Sequence, residues 1–226
     1  MKKLSPNPVF FIALIVLSLS SISCTKDDPI SNADQYGQFN SVNLDYQIST
    51  LPMEAISEAE RLSLIHMREE EKLARDVYST LYNKHGLLIF NNISNSEQTH
   101  TNAILQLMVK YSITDPVGEN SIGVFTDTGL QSLYNSLITA GMVSNLEAYK
   151  VGATVEDLDL NDLKNDLLKV DNQDITLVYQ MLSKGSRNHM RNFYSNLKSL
   201  GYTYIPQFIT QAELDAIVNS AMERGF

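Results

Sequence analysis

The chain has 226 residues, 43% of them apolar, and a formal net charge of -9, enough apolar material for one well-packed domain. The acidic balance excludes nucleic acid as the natural partner, because phosphate binding needs a basic face. One cysteine in the whole chain excludes an internal disulfide and a cysteine-held zinc or iron–sulfur centre, so any metal must be held by carboxylates and imidazoles.

Residues 1–23 read as a signal peptide that stands outside the fold. Lys2 and Lys3 precede an apolar run from Val9 to Leu17, too short for a membrane span, and small residues then lead to Cys24. The ending "SSISC" resembles the lipobox of bacterial lipoproteins, with Ser23 as the small residue before the cleavage point and Ser21 where leucine is usual. The resemblance implies that Cys24 is lipidated and that the protein is held on the cell envelope. Thr25 follows the cysteine in place of the aspartate of an inner-membrane retention signal, which points to the outer membrane. Whether the domain faces the periplasm or the cell surface is left open.

Residues 24–56 are polar and aperiodic and read as a tether. Ser57 and Glu60 then form a capping-box pattern that opens a long helix, and Gly86 supplies its stop. A second helix is expected from Ser94 to about Tyr111, followed by a loop through Asp115-Pro116 and Gly118. A shorter element spans Thr128 to Ala140. Ser144 and Glu147 cap a further helix through Glu156, with a break expected near Leu160 and Asn161. The last long helix starts at Asp171 and ends before Gly201. Residues 202–226 form an extension with one short helix opened by Thr210 and Glu213. No strand alternation and no fixed repeat is present, so the class is all-α and the architecture a helical bundle.

Each long helix carries ionisable residues inside an otherwise apolar stripe. Leu64, Met67, Glu71, Ala74, Tyr78 and Leu81 step by three and four, which turns Glu71 inward. Ile93, Glu97, His100, Ile104, Leu107 and Tyr111 do the same for Glu97 and His100. The stretch "SNSEQTH" admits two readings, a helix cap made by Ser94 and Glu97 or a metal clamp made by Glu97 and His100. Leu146, Tyr149, Ala153, Glu156, Asp159, Leu163 and Leu167 place two acids on one face. Ile175, Val178, Leu182, Ser186, His189, Phe193, Leu197 and Leu200 place His189 near mid-helix.

Taken singly, each residue has a plain alternative. Glu69-Glu70-Glu71 has the composition of a solvated face, and a lone histidine on an apolar face is ordinarily a satisfied core residue. Taken together, several buried carboxylates would cost several kcal/mol each, against the ~5–15 kcal/mol that stabilises a domain. Bound cations remove that cost. Glu71, Glu97, Glu156 and Asp159 match the charge of two divalent ions, and His100 and His189 complete an oxygen and nitrogen shell suited to iron or manganese. His85, beside Gly86, and His66, off the Glu71 seam, are expected to be structural or exposed.

"EEEKLARDVY", with Glu71, Ala74 and Tyr78, resembles the first-helix pattern of rubrerythrin-type proteins, and Glu97 to His100 resembles their second-helix Glu-x-x-His. Glu156 and Asp159 are similar to the paired acids of their third ligand helix. "YKVGATVEDLDLNDL" and "KGSRNHM" resemble a bacterial ferritin-like family of unassigned function. The resemblance covers roughly residues 57–201 and implies a ferritin-like four-helix bundle with additional short helices and metals between them. Its second Glu-x-x-His would need a glutamate where this chain has Ser186, so either Asp159 takes that place or one metal position is weak or empty. The expectation is an envelope lipoprotein binding one or two iron or manganese ions, with metal oxidation or reduction of peroxide or dioxygen as the chemistry if it is an enzyme. The alternative is a metal-free helical interaction module whose acids are exposed or neutralised by Arg75 or Arg187. No protein partner is named by the sequence.

Overall fold

The computed structural model describes Met1 and residues 35–38 and 40–225. The rest of the expected signal peptide, Cys24 and the first part of the expected tether lie outside the described residues. Among these, the helices are α1 Ser41–Thr50, α2 Glu58–His85, α3 Leu88–Lys110, α4 Thr128–Gly141, α5 Asn145–Asp166, α6 Gln173–Ser199 and α7 Gln211–Val218, with no strand.

The four long helices form two hairpins, α2 with α3 and α5 with α6, packed so that α2 meets α5 and α3 meets α6. The α2 start is the expected capping box: Ser57 Oγ accepts from Glu60 N, and Glu60 Oε2 accepts from Ser57 N at 2.8 Å. Glu60 also accepts through Oε1 from the amides of Asp171 and Asn172, both at 3.1 Å, so one buried carboxylate ties the start of α2 to the start of α6. Gly86 closes α2 at φ 67, a left-handed conformation open to glycine, and α3 begins two residues later. Thr210 and Glu213 cap α7 with a second capping box.

Three expectations need correction. The second long helix starts at Leu88, not Ser94, so "SNSEQTH" is helix interior. Ser94 Oγ instead pairs with Ser79 Oγ at 2.7 Å across α2 and α3. The run of Asn91, Asn92, Ser94 and Asn95 has poor helix propensity, and tertiary packing of Phe90, Ile93 and Glu97 overrides it. Helix α5 continues through Leu160 and Asn161 without a break. Residues 41–50 of the expected tether form α1, which buries Leu44 and Ile48. The acids Glu69, Glu70 and Glu71 are all buried. Glu69 accepts from the amides of Thr126 and Asp127 at 2.5 and 2.9 Å, anchoring the loop before α4.

The interior is divided into two apolar clusters. One contains Leu73, Val77, Tyr78, Phe90, Ile93 and Phe193; the other contains Leu64, Met67, Ile104, Leu107, Val178 and Leu182. Along α2, α3 and α6 the change from one cluster to the other passes through polar residues, Glu71, then Glu97 and His100, then Ser186 and His189, while on α5 Glu156 and Asp159 lie just ahead of the change between Leu160 and Leu163. A polar layer therefore crosses the middle of the bundle.

The fit of α5 against α6 sets the position of half of that layer. A Cβ at Gly152 would lie 2.4 Å from the Phe193 ring, and Phe193 is fully buried. Gly152→Ala is expected to destabilise the protein by about 1–3 kcal/mol through overpacking, seen as a fall of roughly 2–10 °C in the thermal midpoint. An unchanged midpoint would mean that α5 and α6 are not closely apposed there.

Candidate metal centre

The polar layer contains two overlapping groups of ligand-type atoms. Glu71, Glu97 and His100 form one, and Glu97, Glu156 and His189 the other; within each group one donor atom per residue lies within 4.8 Å of the others. Glu97 belongs to both. Its Oε2 is 2.8 Å from His100 Nδ1 and its Oε1 is 2.9 Å from His189 Nδ1. The outer carboxylates repeat the arrangement, with Glu71 Oε2 3.3 Å from His100 Nδ1 and Glu156 Oε2 3.3 Å from His189 Nδ1. The two imidazoles are stacked, their centroids 5.4 Å apart. All five residues are at most 2% exposed.

The periodicity of each helix delivers these side chains. Glu97 and His100 are one turn apart on α3, and Glu71, Glu156 and His189 come from α2, α5 and α6 respectively. The expected residues Glu71, Glu97, His100, Glu156 and His189 are thus brought together. Asp159 is buried beside them but in neither group: its Oδ2 accepts a hydrogen bond from Ser186 Oγ. Ser186, where the sequence resemblance called for glutamate, orients this acid. His85 Nε2 lies 2.8 Å from the Gly141 carbonyl, and His66 lies on the bundle surface, partly exposed.

Sequence reading missed the outer support of the centre. His189 Nε2 donates to the Tyr36 carbonyl at 2.6 Å, and His100 Nε2 lies 3.2 Å from the Gly37 carbonyl. These contacts hold each ring with Nδ1 toward the carboxylates, the usual way an outer partner orients an imidazole ligand. Gly37 has φ 72, and a Cβ there would lie 2.6 Å from His189 Nε2; one at Gly185 would lie 2.5 Å from the His100 ring. Close approach of bare backbone is what lets residues 36–37 lie over the two imidazoles. Nothing periodic in "QYGQ" signals this. Tyr78, placed on the seam by sequence, donates its hydroxyl to Glu156.

Glu71 Oε1, Asp159 Oδ1 and His189 Nδ1 are buried without a hydrogen-bond partner. His189 Nδ1 faces carboxylate oxygens at hydrogen-bonding distance but without hydrogen-bonding alignment. Atoms of this kind, converging off-axis, fit a shared cation better than a closed hydrogen-bond network.

Without a cation, protons must offset the charge. Burial opposes the charged form of His189, yet Glu97 and Glu156 outweigh it and raise its pKa to about 10. The same balance, with Glu97 and Glu71 as partners, raises His100 well above the usual imidazole range. Burial lifts Glu71 to about 7 despite His100, and burial with Glu71 and Glu156 lifts Asp159 well above the carboxylate range. Burial also pulls Glu97 upward, but His189 and His100 prevail and hold it low.

Three similarities place the chain among known proteins. Residues 60–221 match the family described as "Uncharacterized protein domain (DUF2202)". The chain is 54% identical over 178 residues to "Uncharacterized protein MJ0754" of Methanocaldococcus jannaschii, a span of 79% of this chain and 96% of that protein. The crystal structure titled hypothetical protein MJ0754 from Methanococcus jannaschii superposes with a TM-score of 0.76 at 53% identity, covering 77% of this chain and 99% of the other.

The raised pKa values define a pH dependence for the metal-free protein. A group protonated more readily in the folded than the unfolded state contributes stability that is lost as pH rises. The His189 contribution is complete below about 6.5 and disappears through about 10; that of Glu71 disappears through about 7. Glu97 runs the other way, but its window lies below the ordinary carboxylate range. The thermal midpoint of chelator-treated protein is therefore expected to fall between pH 6.5 and 10. A midpoint that stays level or rises over this range would refute the raised proton affinity of His189 in the metal-free fold.

Proposed function

The chain belongs to the DUF2202 family, and from the geometry of its core we propose that it binds two transition-metal ions, iron or manganese, one at each triad, with Glu97 shared between them. The single observation that carries this reading is the meeting of carboxylate oxygens and imidazole nitrogens from four helices around Glu97. Mixed carboxylate and imidazole donors suit these ions, and a ferritin-like reading of the bundle is in keeping with the layout. Bound there, the ions would supply redox chemistry toward dioxygen or peroxide. The chain's own part is to orient the imidazoles through the Tyr36 and Gly37 carbonyls, to hold Glu156 through the Tyr78 hydroxyl, and to present Asp159 Oδ1 as a further carboxylate oxygen steadied by Ser186.

The rival reading, a metal-free interaction module, needed its acids exposed or neutralised by Arg75 or Arg187. Arg75 is engaged with Asp76 and Gln98, and Arg187 with Glu223, so neither arginine serves the centre.

Untagged protein is expected to carry up to two iron or manganese ions by elemental analysis. At a metal concentration of ~100 times Kd the folded state gains ~2.7 kcal/mol for one site, a rise of about 5–10 °C in the thermal midpoint. His100→Ala and His189→Ala should each lose one ion, and Glu97→Gln should weaken both. Midpoints that do not respond to iron(II) or manganese(II), with no metal retained, would overturn the reading.

On the residues "SSISC" we also propose that the protein is a lipoprotein anchored through Cys24 and facing away from the cytoplasm, with the outer membrane as its destination. Among the described residues no helix is long and apolar enough to cross a membrane. Cys24→Ala should move the protein from the membrane fraction to the soluble fraction. Retention in the membrane fraction would refute lipidation.

A further inference from the structure

A third group of ligand-type residues lies outside the centre just described. His66 and Glu70 are one turn apart on α2, and Asp162 faces them from α5; one donor atom of each lies within 4.8 Å of the others. The group grades from solvent inward: the His66 side chain is 42% exposed and that of Glu70 only 5%, with Asp162 half-buried between. Both oxygens of Glu70 are buried without a hydrogen-bond partner. What faces this carboxylate is the His66 imidazole, its Nε2 3.4 Å from Oε2, and a second carboxylate, Asp162. A buried acid set against another acid, with one half-exposed imidazole as its facing base, is costly.

We propose that His66, Glu70 and Asp162 form a third cation site, open to solvent between α2 and α5, that takes up a divalent first-row ion such as manganese(II) or iron(II) and passes it to the buried centre. One nitrogen and carboxylate oxygens in a half-open pocket suit these ions and leave coordination positions for water. The direction of transfer follows from position. Glu70 precedes Glu71 on α2, and Asp162 lies one turn from Asp159 on α5, so the outer group and the centre meet across the same pair of helices. The delivery role rests on the two-metal reading of the centre; the outer site does not.

The test follows manganese(II) uptake by the full chain, as a time course after mixing and as the number of ions bound at equilibrium, by the loss of the free-ion electron paramagnetic resonance signal. The variants are His66→Ala with Asp162→Asn, and Glu97→Gln, with folding checked by circular dichroism. The outer double variant is expected to bind one ion fewer than wild type and to fill the centre several-fold more slowly. Glu97→Gln is expected to keep one ion, which the outer substitutions then remove. If the outer double variant binds as many ions as wild type, the site is refuted; if it binds one fewer but fills the centre at the wild-type rate, delivery is refuted. A wild-type protein that binds one ion, lost only in the outer variant, would support the outer site while refuting the two-metal centre.

Discussion

The position of Glu97 between two imidazoles is the constraint on which the rest of this structure depends. One carboxylate meets His100 through one oxygen and His189 through the other, deep in a bundle where an uncompensated charge is strongly unfavourable. Helices α3 and α6 must therefore keep their relative heights to within a fraction of a helical turn. A slip of one residue along α6 would turn His189 by ~100° away from the layer. The apolar contacts that hold α3 against α6 serve this register as well as burial.

The division of the core into two clusters answers that demand. One side contains an aromatic group in which Tyr78, Phe90 and Phe193 pack with centroids 5.3 to 5.9 Å apart. Aliphatic side chains, methionines, Tyr111 and Tyr179 fill the other side. The polar layer is clamped between them, with outer partners that leave little rotational freedom: Tyr78 on Glu156, Ser186 on Asp159, and the Tyr36 and Gly37 carbonyls on the two histidines. Preorganisation of this kind places the cost of assembling like charges on folding rather than on ligand binding.

The acidic residues divide by what neutralises them. Glu60 and Glu69 are buried but accept backbone amides, which is sufficient for a structural carboxylate. Asp157 likewise takes the amides of Gln207, Phe208 and Ile209 and the Tyr204 hydroxyl, fastening the C-terminal segment to α5. Glu70, Glu71 and Asp159 each retain oxygens that accept nothing. That contrast, within a single chain and at similar burial, separates carboxylates satisfied by backbone amides from carboxylates that the packing leaves partly unsatisfied.

Much of this was legible in the sequence. The three-and-four spacing of apolar residues determined the long helices and the inward direction of Glu71, Glu97, His100, Glu156 and His189, because helical periodicity alone decides which side chains share a face. The capping boxes at Ser57 and Thr210 were equally local and equally readable. Tertiary structure decided what depends on contacts between distant segments. Packing carried α3 back to Leu88 through a polar run that local propensity reads as a loop, and it carried α5 without interruption through Asn161. It brought residues 36–37 of an aperiodic stretch over His100 and His189. It also buried Glu69 and Glu70, whose composition signals a solvated surface, because their partners or their lack of partners lie on the loop before α4 and on α5, far away in the chain. A sequence specifies the direction of a side chain through its own helix, but the group that side chain meets is set by the neighbouring element.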